Sequence, residues 1–459
     1  MLKIQWFIAI LLGCVAVVWT LIGISEPFWL VPAGVLLVLL VFLASPRLLV
    51  PWVILTLPVT RICLAHGRPS GWTDRIFPSQ TLLLLFLILW GVRCLKNKEA
   101  RDGFPREIWP VLLLLGMGAL AWPFFPHSEW GVFRVVELIS LPIAFLASRS
   151  LMAGKRGMEL LLGSWFLCGV FVAVTNIMSL QMEPFVRQYP LGEHWTLDVL
   201  FGEEGARAGG VGIHNGTALV LNMSLFVLLA CLFATGRRVH WVVCLPFLLL
   251  MVLGELITRS RGGFYGMVVG LCLAVAWSLR SRRSVLLGVV LVIVFCVAAY
   301  FISHWGVSHG AFHRLVSPVV SSETQSGFSF RAMVWFRALD EMSRLHWLGL
   351  GLGGWAEKVS DLPHGHSIFF TPIFEFGPLG LFLWSPFLFF VIRGTCVRAR
   401  MCRGTPGEFA APWLAAGLIS CGLQGIASFD YSHLPYWVFL GGIWTMLEKW
   451  AEERCSIAG

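Results

Sequence analysis

Charge is scarce in this chain. Only 13% of its 459 residues are Asp, Glu, Lys or Arg, roughly half the share usual in globular domains. Hydrophobic residues make up 57%. Disorder requires low hydrophobicity and high charge, so that class is excluded. The same figures exclude an ordinary soluble enzyme. Paired cysteine motifs are lacking too. The 12 cysteines include no Cys-x-x-Cys and no Cys/His spacing of the zinc type, so neither a disulfide framework nor a metal site is expected. No cofactor is read from the sequence. Internal repeats and low-complexity tracts are also absent.

What fills the chain instead is long apolar runs. They lie near 5–22, 28–44, 48–63, 78–94, 108–125, 131–148, 158–181, 214–235, 240–257, 263–279, 284–303, 367–392, 409–427 and 435–447. A spanning helix needs about 20 apolar residues. The expected fold is all-α, a polytopic membrane protein of about 12–14 transmembrane helices with one long structured loop on the outer side. The lower number holds if the short third and last runs are re-entrant. The first run follows Lys3 without a small-residue cleavage pattern and is expected to be an uncleaved span.

Four regions result: N-terminal spans over 1–181, spans bearing outer arginines over 182–303, the long loop over 304–366, and C-terminal spans over 367–459. With the N-terminus inside, most of the 34 Lys and Arg fall on the cytoplasmic side, as topology requires. Both termini are then cytoplasmic. The net charge of +9 is assigned to this bias, with membrane lipids as neighbours and no nucleic-acid partner.

Arginines on the outer side need another account, because outer loops normally avoid them. Arg207-Ala-Gly-Gly-Val-Gly-Ile-His-Asn215 leads into a span. Its glycines permit close backbone approach, and Asn215 reads either as a ligand contact or as a helix cap. No Lys-Ser/Thr follows, so this is not a nucleotide-type phosphate loop. Glu255-Leu-Ile-Thr-Arg259-Ser-Arg261-Gly-Gly263 is a tight outer turn. Its arginines either reach lipid headgroups or fork onto phosphate oxygens. Glu255 precedes Arg259 by four residues and can pair with it if the helix continues.

The third segment is His364-Gly-His366-Ser367, followed by Glu375-Phe-Gly-Pro-Leu-Gly380. A histidine there is either interfacial or a general base, since its ordinary pKa lies near neutral. Glu375 is costly in lipid and is expected to face a cavity. Gly377-Pro378 predicts a helix break. Arg134 and Glu137 read as a structural ion pair. Asp430 and His433 read as an ordinary polar turn or as substrate contacts.

Within the long loop, Ala332, Trp335, Phe336, Leu339, Met342 and Leu345 recur at spacings of three and four, which predicts an amphipathic helix lying on the membrane surface. Asp340 and Arg344 stand in i,i+4 register on its other side. Gly349, Gly351, Gly353 and Gly354 end it.

Taken together, these segments resemble the O-antigen ligase/polymerase family, bacterial inner-membrane glycosyltransferases that use glycans carried on undecaprenyl diphosphate. The resemblance is spread over roughly 200–380. It rests on Arg207 to Asn215, the Ser260-Arg261-Gly262 turn, Arg331 with Trp335 four positions later, Leu348-Gly-Leu-Gly-Leu-Gly353, and His366 followed by Glu375 to Gly380. The family often has His-Asn where this chain has His366-Ser367, and His364 competes for the same role. The resemblance implies His366 as the catalytic histidine, with Arg261 and Arg331 binding diphosphate. Arg259, Arg207, Asn215, His364 and Glu375 are candidate substrate-binding residues.

The chemistry agrees with the residues. A sugar on a diphosphate already has a good leaving group, and arginines can neutralise the charge that develops as it departs. No metal is needed, because arginine replaces it. A histidine can take the acceptor's proton, and one displacement inverts the anomeric centre. The expected donor is an undecaprenyl-diphosphate-linked glycan. The expected acceptor is lipid A–core, with a growing glycan (a polymerase) or a protein as alternatives. A multi-span peptidoglycan glycosyltransferase is a second enzyme reading. A lipid-linked-glycan flippase is the reading from another class, but it calls for repeats and broken helices at the membrane midplane.

Overall fold

A computed structural model of the chain describes residues 47, 49–58, 78–96, 108–121, 129–152, 156–179, 214–235, 238–258, 260–278, 328–344, 349–352, 354, 359, 367–426 and 433–458. Among the described residues there are thirteen helices and no strand. They are α1 (Leu49–Thr56), α2 (Pro78–Lys96), α3 (Trp109–Ala121), α4 (Glu129–Met152), α5 (Gly157–Ser179), α6 (His214–Thr235) and α7 (Arg238–Thr258). There follow α8 (Arg261–Ser278), α9 (Phe328–Arg344), α10 (Phe370–Phe376), α11 (Pro378–Met401), α12 (Ala411–Gln424) and α13 (Leu434–Ala458). The all-α membrane architecture expected from the apolar runs is what the chain adopts. Helices satisfy their own backbone, which is what hydrocarbon demands.

Five described segments are long and apolar enough to cross a membrane: Gly157–Met178, Asn215–Ala234, Trp241–Thr258, Arg261–Ser278 and Pro378–Met401. Three expected spans, 5–22, 28–44 and 284–303, lie outside the described residues, as does the loop 182–213. The structure defines the extent of two further runs. The short last run extends into the 25-residue helix α13, because the polar residues after Leu447 continue the helix. The run 367–392 is divided at Gly377 into α10 and α11, as Gly377-Pro378 predicted.

Helix α6 sits at the centre. Of its membrane-length window 83% is buried, against 28% for α11. It packs on α5, α7, α8, α12 and α13. Small residues let the helices approach closely, as membrane interfaces favour. A Cβ on Gly417 of α12 would stand 2.6 Å from Phe226 Cβ. One on Gly270 of α8 would run into the Phe226 ring. Helix α13 lies along α4, and Gly441 presses on the Phe145 backbone. Large aromatics fill the remaining space. Phe387 stacks on Trp437 with centroids 5.6 Å apart, and Phe233 on Trp413 at 4.2 Å.

Phe336 and Leu339, on the apolar side of α9 that was expected to lie on the membrane surface, are exposed. The buried stripe is Val334, Trp335, Ala338 and Met342. It faces Leu350, Val359 and Phe374, so α9 is seated on protein through that stripe. The Asp340–Arg344 pair forms as predicted, at 2.7 Å.

Two glycine substitutions separate packing from propensity. Gly417→Ala is expected to destabilise the protein by about 1–3 kcal/mol through overpacking against Phe226. Gly91→Ala meets no atom of the described residues within 4 Å and is expected to stabilise by up to about 1 kcal/mol through helix propensity. Thermal unfolding of detergent-solubilised protein, followed by tryptophan fluorescence, reads both shifts.

Candidate functional site

Several helix ends meet at one end of the bundle: the starts of α6, α8 and α13 and the finish of α7 and α12. The turn between α7 and α8 is built by Thr258 and Ser260. Thr258 Oγ1 donates to the Glu255 carbonyl at 2.7 Å and accepts the Ser260 N–H at 3.2 Å. Ser260 Oγ accepts the Gly263 N–H at 3.3 Å, which makes Ser260 the N-cap of α8. Arg261 then occupies the first helical position, half-buried. A guanidinium at a helix N-terminus makes an anion-attracting corner.

Ser260 Oγ also donates to Asn215 Oδ1 at 3.0 Å. Helix α6 begins at His214, so Asn215 lies within its first turn and not at the cap. The cap alternative for Asn215 gives way to a bridge between α6 and the α7–α8 corner. The hydrogen bonds continue inward. Asn222 Nδ2 donates to the Gly263 carbonyl at 2.8 Å and to Gln424 Oε1 at 3.0 Å. Gln424 Nε2 donates to the Asn215 carbonyl at 3.3 Å. Both amides are buried, and in an apolar bundle such groups must find each other.

The next residue, Gly425, accepts the Ile368 N–H at 2.7 Å. Ser367, the neighbour of His366, is fully buried. Its hydroxyl accepts the N–H groups of Phe369 and Phe370 at 3.3 and 3.1 Å. The turn that carries the histidine segment is therefore tied to the end of α12. His433 joins the same end: its Nε2 stands 3.0 Å from where a Cβ on Gly216 would be.

Helix α10 stops at Phe376, and the glycine-rich segment receives its last carbonyls. Leu350 N–H donates to the Phe374 carbonyl at 2.7 Å and Gly351 N–H to that of Glu375 at 3.1 Å. Gly349 and Gly351 have φ of 88° and 77°, a region that favours glycine. A Cβ on Gly349 would stand 2.7 Å from the Glu375 carbonyl oxygen. Glu375, expected to face a cavity, is 1% exposed inside the protein. Trp335 of α9 lies on Phe370, centroids 4.6 Å apart. Arg331 stands four residues earlier, in the first part of α9.

Glu255 is 3% exposed. Neither carboxylate oxygen has a hydrogen-bond partner among the described residues, and α7 ends at Thr258, before the expected partner Arg259. Gly263 packs closely beside it: a Cβ there would run into Glu255 Oε1 and stand 2.7 Å from Ala218 Cβ. Arg207, Arg259, His364, His366 and Asp430 lie outside the described residues, as does the side chain of Arg134. Of the predicted residues, the structure links Asn215 to the Ser260-Arg261 corner and to the segment that begins at Ser367. Sequence reasoning missed Asn222 and Gln424. Their signal was an amide inside an apolar run, where it is costly unless paired.

These features define a polytopic membrane protein with a polar, glycine-rich site at the end of its bundle. Residues 246–385 match the family model described as O-antigen ligase. Over that stretch the chain is similar to the O-antigen ligase family. The matched segment holds the α7–α8 corner, α9, the glycine-rich segment and the break before α11. No curated protein matches the chain. The family implies glycosyl transfer of the ligase or polymerase type by a membrane enzyme, with a lipid-linked glycan and an acceptor as substrates in general.

The buried amides supply a double-mutant test. Gln424→Leu leaves the Asn215 carbonyl without its amide donor and part of Asn222 unmatched, with an expected cost of about 1–3 kcal/mol. The double variant Asn222→Leu/Gln424→Leu should cost less than the sum of the single changes. Chemical unfolding of the four proteins measures the coupling, and strict additivity would show that the amides do not act together.

Proposed function

We propose that the chain transfers an oligo- or polysaccharide from undecaprenyl diphosphate to an acceptor hydroxyl on the periplasmic face, as in O-antigen ligation to lipid A–core. One observation carries this reading: hydrogen bonds gather Asn215, the Ser260-Arg261 corner and the segment following His366 at one end of the bundle. Those are the segments on which phosphate binding and proton transfer were placed.

In this mechanism Arg261, at the capped start of α8, and Arg331, on α9, hold the diphosphate. Arg207 and Arg259 add positive charge around it. His366 takes the acceptor hydroxyl's proton as that oxygen attacks the anomeric carbon. The anomeric carbon–oxygen bond breaks, and undecaprenyl diphosphate leaves with the bonding pair while the arginines neutralise it. A single displacement inverts the centre. Asn215 orients the corner through Ser260, and Glu375 belongs to the short helix that positions the histidine segment. His364 is the alternative base. The reading places the protein in the inner membrane with both termini in the cytoplasm, the active site outward, and the 304–366 loop covering the reacting groups.

Incubation of the purified protein with labelled lipid-linked glycan and, separately, lipid A–core, a glycan or a protein acceptor tests both activity and acceptor class. His366→Ala is expected to lower transfer about 10²–10⁴-fold, the usual worth of a general base. Arg261→Ala should lose about 10²–10³-fold, as when one charge-stabilising group is removed. Both variants should keep wild-type unfolding curves. Wild-type transfer by either one would remove that residue from the mechanism, and full loss in His364→Ala alone would move the base to His364.

A further inference from the structure

The opposite end of the bundle contains a groove that the transfer reaction does not use. Helix α11 is uncharged from Pro378 to Ile392, about 22 Å of helix, and then carries Arg393, Arg398 and Arg400. Its neighbour α13 is uncharged from Leu434 to Leu447 and charged from Glu448 onward. Both helices therefore change character toward the same end, where hydrocarbon gives way to headgroups. Between them lies a cavity of about 540 Å³, lined among others by Phe390, Arg393, Val397, Arg398, Glu448 and Glu452.

The charges in this groove are not equivalent. Glu448 is committed to protein: it pairs with Arg149 at 2.8 Å and approaches Arg398 at 3.9 Å. Arg398 also lies over the Trp444 ring, 4.1 Å from its centroid. Two charges remain. Arg393 on the α11 wall and Glu452 on the α13 wall are exposed, and neither forms an ion pair with another described residue. Phe390 and Val397, on the α11 side, are 41% and 43% exposed, an apolar track beside the charged mouth.

We propose that this groove binds a zwitterionic aminophospholipid of the phosphatidylethanolamine class. The phosphate would sit on Arg393 and the outer edge of Arg398. The primary ammonium would donate to Glu452, and one acyl chain would run along Phe390 and Val397. Basic grooves between helices at headgroup level recurrently hold anionic headgroups, but this groove carries both signs, with Glu452 and Arg393 each outside any ion pair among the described residues. An anionic headgroup such as phosphatidylglycerol brings no cation for Glu452 and sets its own charge beside that carboxylate. Selectivity therefore comes from a repulsive element as well as an attractive one.

The test uses full-length protein in detergent, with phosphatidylethanolamine, phosphatidylglycerol of identical acyl chains, and inorganic phosphate as the probes. Native mass spectrometry measures lipid retention. Retention of the ethanolamine lipid should exceed that of the glycerol lipid on the order of 10-fold, the effect of one lost charge-assisted contact. Arg393→Gln and Glu452→Gln should each abolish that preference while leaving the thermal transition unchanged, since both side chains are exposed. Three results would overturn the assignment. They are equal or greater retention of the glycerol lipid, displacement of bound lipid by inorganic phosphate, and a preference that survives in both variants.

Discussion

A helix that ends inside an apolar interior leaves carbonyls with no water to bond them. In this protein α10 ends at Phe376, and the N–H groups of Leu350 and Gly351 take the carbonyls of Phe374 and Glu375. The geometry of the site depends on that pairing. It requires backbone so close to α10 that only glycine fits at 349. It brings the glycine-rich segment under α9, so that Trp335 comes to rest on Phe370. It also lets the chain restart immediately: Pro378 opens α11, where a missing N–H costs nothing. The break thus holds the amphipathic helix, the glycine-rich segment and the turn that begins at Ser367 in one place.

The second constraint is the cost of amides in a hydrophobic bundle. Asn222 and Gln424 would each be a liability alone. Together they connect α6, α8 and α12 and deliver the leftover donor of Gln424 to the Asn215 backbone. Because Gly425 follows directly and bonds Ile368, the ladder reaches from the arginine corner to the start of the histidine segment. Ser260 closes it by capping α8 and donating to Asn215 with one hydroxyl. Polar groups that oblige one another to meet are a way to place reactive residues with little flexibility.

Much of this was legible in the sequence, for identifiable reasons. The apolar runs announced the helices, because lipid leaves few other options. Gly377-Pro378 announced the break, and the i,i+4 spacing of Asp340 and Arg344 announced their ion pair. The tight Ser260-Arg261 turn was visible from its residue types. The partnerships were not. Nothing local in Leu423-Gln424-Gly425 names Asn222, some two hundred residues earlier. Nor was the protein partner of α9 legible. Its partner is the hidden face of α10, and periodicity specifies a stripe without saying what it meets.

The central claim is that the arginine corner and the histidine segment form one site on the same end of the bundle. Paired cysteines at 261 and 366, in a chain whose native cysteines are replaced, test it most directly. A short bifunctional maleimide added from the outer face of the membrane should bridge them within one chain. Absence of a cross-link, while single cysteines at both positions still react, would contradict the account.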